Sequence, residues 1–436
     1  MKKGFAKLIA MLALASTVVG CSTNPVTGKS QINFISPAQE VALGTKQYGP
    51  SQQSQGGAYE VDPALSHYIN SVGQKLAKLS DRPNLPYEFV VLNNDVPNAW
   101  ALPGGKIAFN RGLLIHLQDE AQLAAVLGHE IVHAAASHSA QQMSQRQLLG
   151  VGGQLAAVAA SQSRYGGLIQ QGIGMGSAAF HASYGRGQEL EADAYGMEYM
   201  VAAGYDPQGA VELQETFVKL SEGRQSNWLN NLFASHPPSQ ERVAANRARA
   251  QQMPPGVRNK KAFDRAMAQL RKDAPAYKLH QEALAAANKK QMDKALSLTE
   301  QAIRKQPKEA LFWDTKGKLL LNQKRSEPAL KAFSRAIEIN PNYFGPYVGR
   351  GIVRKNMGDD QRARIDFETS LSMLPTQYAT FHLGELELKE GNSRKAYEYY
   401  QFAAASGGEL GKRAQQRMHQ IYPQQPGQQP SQQRRR

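Results

Sequence analysis

The spacing of hydrophobic and polar positions changes along the 436 residues of the chain. An apolar run from Leu8 to Val19 comes first and is too short for a convincing membrane span. Residues 106–110 alternate in the manner of a half-buried strand, and the small apolar residues 121–128 suit a buried helix. From residue 276 onward the pattern repeats. We therefore expect a mainly α protein, in which an α+β domain with a small sheet is followed by an all-α array.

The repeat is carried by proline, alanine, glycine and aromatic positions that are 34 residues apart. Its members are Pro307, Pro341 and Pro375; Ala295, Ala329 and Ala363; Gly317 and Gly351; and Phe333 and Phe367. Such a period, with helix-forming stretches between the small residues, is the signature of tetratricopeptide repeats. It predicts four repeats stacked as a helical solenoid, at 276–309, 310–343, 344–376 and 377–410.

A solenoid has a concave groove that suits extended peptides or partner helices, so this half is expected to recruit substrate or to dock on an assembly. Six aromatic residues could line the groove or could equally form the core between repeats: Tyr343, Phe344, Tyr347, Tyr397, Tyr399 and Tyr400. Residues 256–275 are expected to form a linker, and the basic Gln/Pro-rich tail 411–436 is expected to be disordered.

Candidate chemistry begins with the HExxH pattern of His129, Glu130 and His133. At about 100° per residue, the two imidazoles lie roughly 40° apart around a helix and can reach one metal ion. Glu130 then projects beside the metal, where it can act as a general base. The pattern alone is degenerate, because His and Glu are ordinary helix residues.

A second acidic segment can supply the third ligand. Glu189 and Asp193 share a helix face at the i,i+4 spacing. We assign Glu189 as the ligand and Asp193 as the carboxylate that orients a zinc-bound imidazole through its other ring nitrogen. A solvated acidic face is the alternative. His138 would lie about 180° from His129 on a continuous helix, so we expect it to pack or to hydrogen-bond unless the helix breaks.

Four segments together resemble a known family. They are His129–His133, Glu189–Asp193, Asn98–Gly105 and Ser235–Arg242. In this order they are similar to the HtpX-like and CAAX-prenyl-endopeptidase-type zinc peptidases, and in particular to BepA-like bacterial envelope lipoproteins. The segment Asn24–Gly28 is similar to the start of the lipoprotein members. The resemblance implies a zincin-type metallopeptidase domain with one zinc ion and endopeptidase activity.

The resemblance also implies a substrate-binding strand. The residues expected on this active-site edge strand are Asn98, Ala99, Trp100 and Ala101. An extended substrate would hydrogen-bond to the edge as an added strand. A plain hairpin turned by residues 103–105 is the alternative interpretation, and both can be true.

Two residues near the end of the peptidase segment are expected near the transition state. His236 is similar to the family histidine that approaches the zinc, where it either polarises the scissile carbonyl or caps the metal as a fourth ligand. Arg242 could add positive charge to the same transition state. A structural loop contact is the alternative for both residues.

The first residues bear on location. Lysines precede the Leu8–Val19 run, and this pattern predicts a signal peptide over 1–20 and a peptidase domain over 21–255. The residues up to Cys21, the only cysteine, look like a bacterial lipobox, which implies lipidation of Cys21. An ordinary cleaved signal is the alternative. Ser22 follows this cysteine, and lipoproteins of this kind without an aspartate at that position generally go to the outer membrane. We therefore expect an outer-membrane lipoprotein that faces the periplasm of a Gram-negative bacterium.

The net charge of +15 could favour anionic lipid head groups or acidic polypeptides. Nucleic acid is a weaker alternative, because no nucleic-acid motif is present. Residues 141–185 are rich in Gly, Ala, Gln and Ser. Arg146 and Arg164 bracket too short a stretch for a membrane helix, so a helical hairpin over the active site is expected there, as a candidate lid.

Two functional hypotheses follow. In the first, a zinc endopeptidase recognises unfolded or misassembled envelope proteins through its repeats. The resemblance implies stalled outer-membrane β-barrel proteins as substrates, the barrel-assembly machinery as a docking partner, and the membrane as a further partner through the lipid anchor. In the second, the protein is a chaperone or assembly scaffold with a structural or latent zinc site. Such a scaffold needs the metal ligands but not Glu130, whose presence favours catalysis.

Overall fold

The structure is a computed structural model, and it describes residues 21–150, 184–222 and 236–422. The chain divides into two compact units. The first unit contains the described residues up to 282 together with 301–309, and the second contains 283–300 and the described residues from 310 onward. The predicted signal peptide and most of the predicted lid lie outside the described residues.

The first unit contains two small sheets. Strands β1 (Cys21–Thr23) and β2 (Ser30–Ile32) form an antiparallel pair. Strands β3 (Glu88–Leu92), β4 (Ala99–Leu102) and β5 (Lys106–Asn110) form the second sheet in the order β3-β5-β4. The central β5 is parallel to β3 and antiparallel to β4. Because β5 has a neighbour on each side and helices around it, all of its residues are buried, and the expectation of a half-buried strand was wrong.

The hairpin interpretation of β4 and β5 matches the structure. Trp100 pairs with Ala108, and the chain reverses through Gly104 and Gly105, whose φ angles of 76° and 84° favour glycine. Strand β4 lies at the end of the sheet order, although all four of its residues are buried. The Trp100 side chain belongs to the core and packs edge-on against Tyr48.

Helices accompany the two sheets, and the first four of them contact the second sheet. They are α1 (Pro37–Ser54), α2 (Pro63–Ala77), α3 (Arg111–Leu114), α4 (Glu120–Ala135), α5 (His138–Gly150), α6 (Arg186–Ala202), α7 (Gln208–Glu222), α8 (Gln240–Ala250) and α9 (Lys260–Ala266). Helix α4 is buried along its whole length, and the Asp119 carboxylate caps its start by accepting from the Gln122 backbone N–H at 3.0 Å.

Helices α4 and α6 cross where each has a glycine. A Cβ on Gly128 would lie 2.6 Å from the carbonyl oxygen of Gly196, and a Cβ on Gly196 would lie 2.8 Å from the backbone nitrogen of His129. Only residues without a side chain allow so close an approach. Helix α4 ends at Ala135, Ser137 has a φ of 59°, and a new helix begins at His138. The continuous helix assumed in placing His138 is therefore absent.

The remaining helices are α10 (Ala268–Asn288), α11 (Met292–Lys305), α12 (Ala310–Asn322), α13 (Ser326–Ile339), α14 (Phe344–Asn356), α15 (Asp360–Met373), α16 (Gln377–Lys389), α17 (Ser393–Ala405) and α18 (Gly408–Ile421). From α12 to α17 they form pairs that coincide with the last three predicted repeats. The Phe333 ring lies against Gly317 and Gly349, within 2.6 Å and 2.3 Å of where their Cβ atoms would be. Small residues therefore make room for the repeated aromatic residue. The predicted fold class is confirmed.

Two segments are more ordered than the sequence suggested. The expected linker 256–275 is largely helical, since it contains α9 and the start of α10. The expected disordered tail 411–436 begins inside α18. That helix places Leu410, Ala414 and Met418 against a cluster around Phe381 and Tyr400, so its apolar face is buried and the segment to 421 folds. Among the described residues, no helix is both long and apolar enough to cross a membrane.

Candidate metal centre

The metal-ligand candidates come from three parts of the first unit. Helix α4 supplies His129 and His133, helix α6 supplies Glu189, and the segment just before α8 supplies His236. All four side chains are buried, and each offers one ligand atom within 4.8 Å of the others. The structure thus brings together the three predicted ligands and the possible fourth one.

The distances between these atoms fit a single ion. His129 Nε2 lies 3.0 Å from His133 Nε2 and 3.3 Å from His236 Nδ1. Glu189 Oε1 lies 3.0 Å from His236 Nδ1 and 3.4 Å from His133 Nε2. Ligands at about 2.1 Å from a tetrahedral zinc are separated by about 3.4 Å. The donor set and its spacing therefore suit zinc, with His129, His133, Glu189 and His236 as the residues that would hold it.

The predicted carboxylate Asp193 lies behind His129. Its Oδ1 is 2.9 Å from His129 Nδ1, which leaves Nε2 to face the metal position. Arg242 donates to both oxygens of Asp193, from Nε at 2.6 Å and from Nη2 at 2.7 Å. Although burial acts to raise it, the Arg242 guanidinium holds the pKa of Asp193 below its usual range.

Arg242 also reaches the metal ligand itself, because its Nη1 lies 2.7 Å from Glu189 Oε2. The same Nη1 donates to the carbonyl of Pro237 at 3.2 Å. A role for Arg242 at the oxyanion stays a prediction, and these contacts indicate a second role, that of fixing Glu189 and Asp193 in place.

Glu130 is buried beside the cluster with 1% of its surface exposed. Its Oε1 is 3.5 Å from His236 Nε2, and its Oε2 makes no hydrogen bond to any residue that the structure describes. Burial raises the pKa of Glu130, against the opposing charge of His236 and His129. An unpaired carboxylate oxygen next to the metal-facing atoms is placed as a general base requires.

His236 faces two carboxylates at once. Burial acts to lower its pKa, but Glu189 and Glu130 outweigh it and raise the pKa of His236 to about 9. The same carboxylates that attract a proton at His236 would attract a cation at the common centre of the cluster. The electrostatics and the donor set thus point to the same occupant, a divalent cation.

Strand β4 runs beside this cluster, and sequence reasoning missed what lies against it. The carbonyl of Ala101 accepts from Ser139 Oγ at 3.3 Å and from the Tyr184 hydroxyl at 3.4 Å. The Tyr184 ring stacks on His133 with centroids 3.7 Å apart. No motif marked Tyr184, since it becomes a neighbour of His133 only in the folded chain.

A pocket that is open to solvent lies beside Glu130. Its apolar wall includes Val126, Met197, Leu213 and Phe217, while Ala99 of β4 borders it on another side. The pocket therefore joins the general-base candidate, the edge strand and an apolar surface that could hold a side chain.

Comparison with known proteins places these residues in a family context. Residues 63–250 match the family described as Peptidase family M48, and residues 310–343 match the Tetratricopeptide repeat. The Beta-barrel assembly-enhancing protease of Escherichia coli K12 is 32% identical over 243 residues, which cover 54% of this chain and 48% of that protein.

Two other relatives share the peptidase part. The Mitochondrial metalloendopeptidase OMA1 of Schizosaccharomyces pombe is 34% identical over 177 residues, covering 40% of this chain and 50% of that protein. The Metalloprotease YcaL of Escherichia coli is 28% identical over 245 residues, covering 54% of this chain and 93% of that protein. The chain spans about half the length of the curated beta-barrel assembly-enhancing proteases that it matches.

Proposed function

This chain carries a peptidase family M48 domain followed by a tetratricopeptide repeat, as its sequence predicted, and from that premise we propose that it is a zinc-dependent endopeptidase of the bacterial cell envelope. Its substrates are misfolded or assembly-stalled outer-membrane proteins. The observation that carries the proposal is the buried cluster of His129, His133 and Glu189, with Glu130 placed beside it. A purely structural metal site has no use for Glu130.

The chain's own residues supply most of the mechanism. A bound zinc ion would polarise the scissile carbonyl and acidify a water molecule. Glu130 Oε2 takes a proton from the attacking water as its oxygen bonds to the scissile carbonyl carbon, and it passes that proton to the amine nitrogen as the C–N bond breaks. The backbone of β4 binds the substrate as an added strand at Ala99, and at Ala101 once the Ser139 and Tyr184 hydroxyls release its carbonyl. An apolar substrate side chain packs on Leu213 and Phe217 of the pocket.

His236 has two roles in this proposal. Its Nδ1 would complete four ligands around a bound zinc ion, whereas a catalytic zinc site needs a position open for water or substrate. His236 would therefore restrain the resting enzyme until substrate displaces its ring from the centre of the cluster. Once released, its ring can donate to the oxyanion.

The repeats recruit the substrate, and they also offer a surface for the barrel-assembly machinery. This part of the proposal is supported by the name of the Escherichia coli relative and by the repeat match. We further propose a lipid anchor at Cys21 and a periplasm-facing location at the outer membrane.

The test compares wild type, Glu130→Gln and His236→Ala, each loaded with zinc and assayed for metal content, on an unfolded outer-membrane protein. We expect Glu130→Gln to retain zinc and lose cleavage, because it keeps the shape of the side chain without the base. His236→Ala removes both the restraint and the oxyanion donor, so cleavage faster than wild type would mark His236 chiefly as a restraint and slower cleavage would mark it chiefly as the donor. Equal failure of all three despite bound zinc and a folded protein would favour the scaffold hypothesis instead.

A further inference from the structure

The turn between β1 and β2 contains the segment Asn24–Gly28, and its first side chain has two functions. Asn24 Oδ1 accepts from the backbone N–H groups of Val26 at 2.9 Å and Thr27 at 3.2 Å, which fixes the turn. Asn24 Nδ2 donates in the other direction, to Glu191 Oε1 at 2.8 Å. Asn24 is 5% exposed, and the Glu191 side chain that it meets is 20% exposed. Aspartate could fix the turn but could not donate to Glu191.

Glu191 continues the contact towards the metal centre. Its Oε1 lies 3.2 Å from His138 Nε2, and His138 Nδ1 lies 2.8 Å from His133 Nδ1. His138 is 1% exposed. Four side chains thus follow one another from the N-terminal turn to a metal ligand: Asn24, Glu191, His138 and His133.

When His133 binds the metal, the hydrogen bonds along these four side chains can be arranged in only one way. If His133 Nε2 binds the metal, its Nδ1 carries the hydrogen and donates it. His138 Nδ1 must then accept, so that the hydrogen of His138 lies on Nε2 and is donated to Glu191. The carboxylate of Glu191 accepts from both His138 and Asn24. Each of the three contacts on the path then pairs one donor with one acceptor.

The two metal imidazoles are supported in parallel by one acidic motif. His129 donates directly to Asp193, whereas His133 reaches Glu191 through His138. The intermediate histidine is available because α4 ends at Ala135 and the positive φ of Ser137 turns the chain back. Carboxylates that orient a zinc-bound histidine are worth about 10-fold to 100-fold in metal affinity or activity.

We propose that Asn24, Glu191 and His138 are positioning residues for the metal ligand His133. The turn at Asn24–Gly28 therefore supports the metal centre. The proposal rests on the metal site of the proposed function but not on proteolysis. It therefore stands or falls on how tightly the protein holds zinc, whatever substrates it cleaves.

The test measures zinc affinity by competition with a chromophoric chelator for the full-length protein and for two variants, Glu191→Gln and Asn24→Ala. We expect each variant to bind zinc about 10-fold to 100-fold more weakly. Thr27→Val is the matched control, because it removes the Thr27 hydroxyl bond to the Lys29 N–H in the same turn and leaves the path to His133 intact. It should bind zinc as wild type does.

A second readout separates positioning from plain structural support. The melting temperature is measured for each protein with and without zinc. If these residues position His133, zinc should raise the melting temperature less in Glu191→Gln and Asn24→Ala than in wild type. Without zinc, Glu191→Gln should melt near the melting temperature of metal-free wild type. An unchanged zinc affinity in Glu191→Gln, or a lower melting temperature in both states with the zinc-induced rise intact, would overturn the proposal.

Discussion

Arg242 shows at the scale of one residue how the metal centre is held. Its planar guanidinium binds Asp193 through two nitrogens and Glu189 through the third. Burial alone would lower the pKa of Arg242, but Asp193 outweighs it and raises that pKa, so the group is charged. Breaking a buried ion pair on one side is expected to cost about 3–5 kcal/mol, because the carboxylate left behind is uncompensated.

We predict that Arg242→Lys weakens zinc binding, because a single ammonium cannot span both carboxylates in the way that the guanidinium fork does. The expected loss of zinc affinity is about 10-fold to 100-fold. Chelator competition measures it. Arg247→Lys is the control on the same helix, since Arg247 is 55% exposed and pairs only with the surface residue Glu215 in the described chain. A zinc affinity in Arg242→Lys equal to that of the control would contradict a clamping role.

The sequence predicted part of this arrangement. The i,i+4 spacing placed Glu189 and Asp193 on one face, and the structure turns both towards the centre. It could not predict the partners of Arg242, because those carboxylates come from a different helix, 49 residues away for Asp193. Glu191 was missed for a similar reason: its partner His138 is in reach only because the chain turns at Ser137.

At the scale of elements, the site depends on how closely α4 and α6 cross. One helix supplies two histidines and the other supplies Glu189, so the distance between their axes sets the distances between ligands. Gly128 and Gly196 allow backbone contact at the crossing. A methyl group on either glycine would meet backbone atoms, which cannot rotate away as a flexible side chain can.

We predict that Gly196→Ala destabilises the first unit by about 1–3 kcal/mol through overpacking, and that it weakens zinc binding by pushing Glu189 away from the histidines. Denaturant unfolding and chelator competition measure the two effects. Gly187→Ala is the control, because it lies at the start of the same helix and its Cβ would meet nothing within 4 Å. If Gly196→Ala has the stability and zinc affinity of wild type, the crossing of α4 and α6 can accommodate a Cβ and the prediction is contradicted.

Element boundaries were less predictable than element types. The helical period correctly predicted α4 and the repeat helices, but not the end of α4 at Ala135, where no Gly or Pro marks the break. Helix α18 was missed because the Gln/Pro-rich composition beyond it dominates the tail. Its buried positions, Gly411 and Ala414, are small residues that carry little hydrophobic signal.

At the scale of the whole chain, the 34-residue period and the order of the peptidase motifs were sufficient to predict the architecture. A 34-residue repeat specifies helix pairs without reference to any particular contact, and the four peptidase motifs specify a known domain. Burial is not specified in this way: the aromatic residues Tyr399 and Tyr400, which could have lined a groove, are 4% and 0% exposed in the repeat unit. Which face an aromatic residue takes depends on the neighbouring repeat, and the sequence does not display that neighbour.

The two units are stabilised by different interactions, so metal removal should affect the first unit and leave the repeats unchanged. The first unit buries Glu130 and Glu189 beside the metal position, so removing a cation takes away a positive charge that both carboxylates face in a desolvated place. The core of the repeats is built from apolar residues such as Phe333 and Phe367 and has no such dependence.

We predict that a chelator added to the zinc-loaded protein raises hydrogen exchange in α4 and α6 but not in α12 to α17, because local opening follows the local loss of stabilising interactions. Hydrogen–deuterium exchange with mass spectrometry resolves the two sets of helices in one experiment. His133→Ala is the control, since a chain that lacks a ligand should exchange rapidly in α4 with or without chelator. Faster exchange in the repeats to the same degree would show that the metal stabilises the whole chain, whereas unchanged exchange in α4 would show that the buried cluster is stable without a cation.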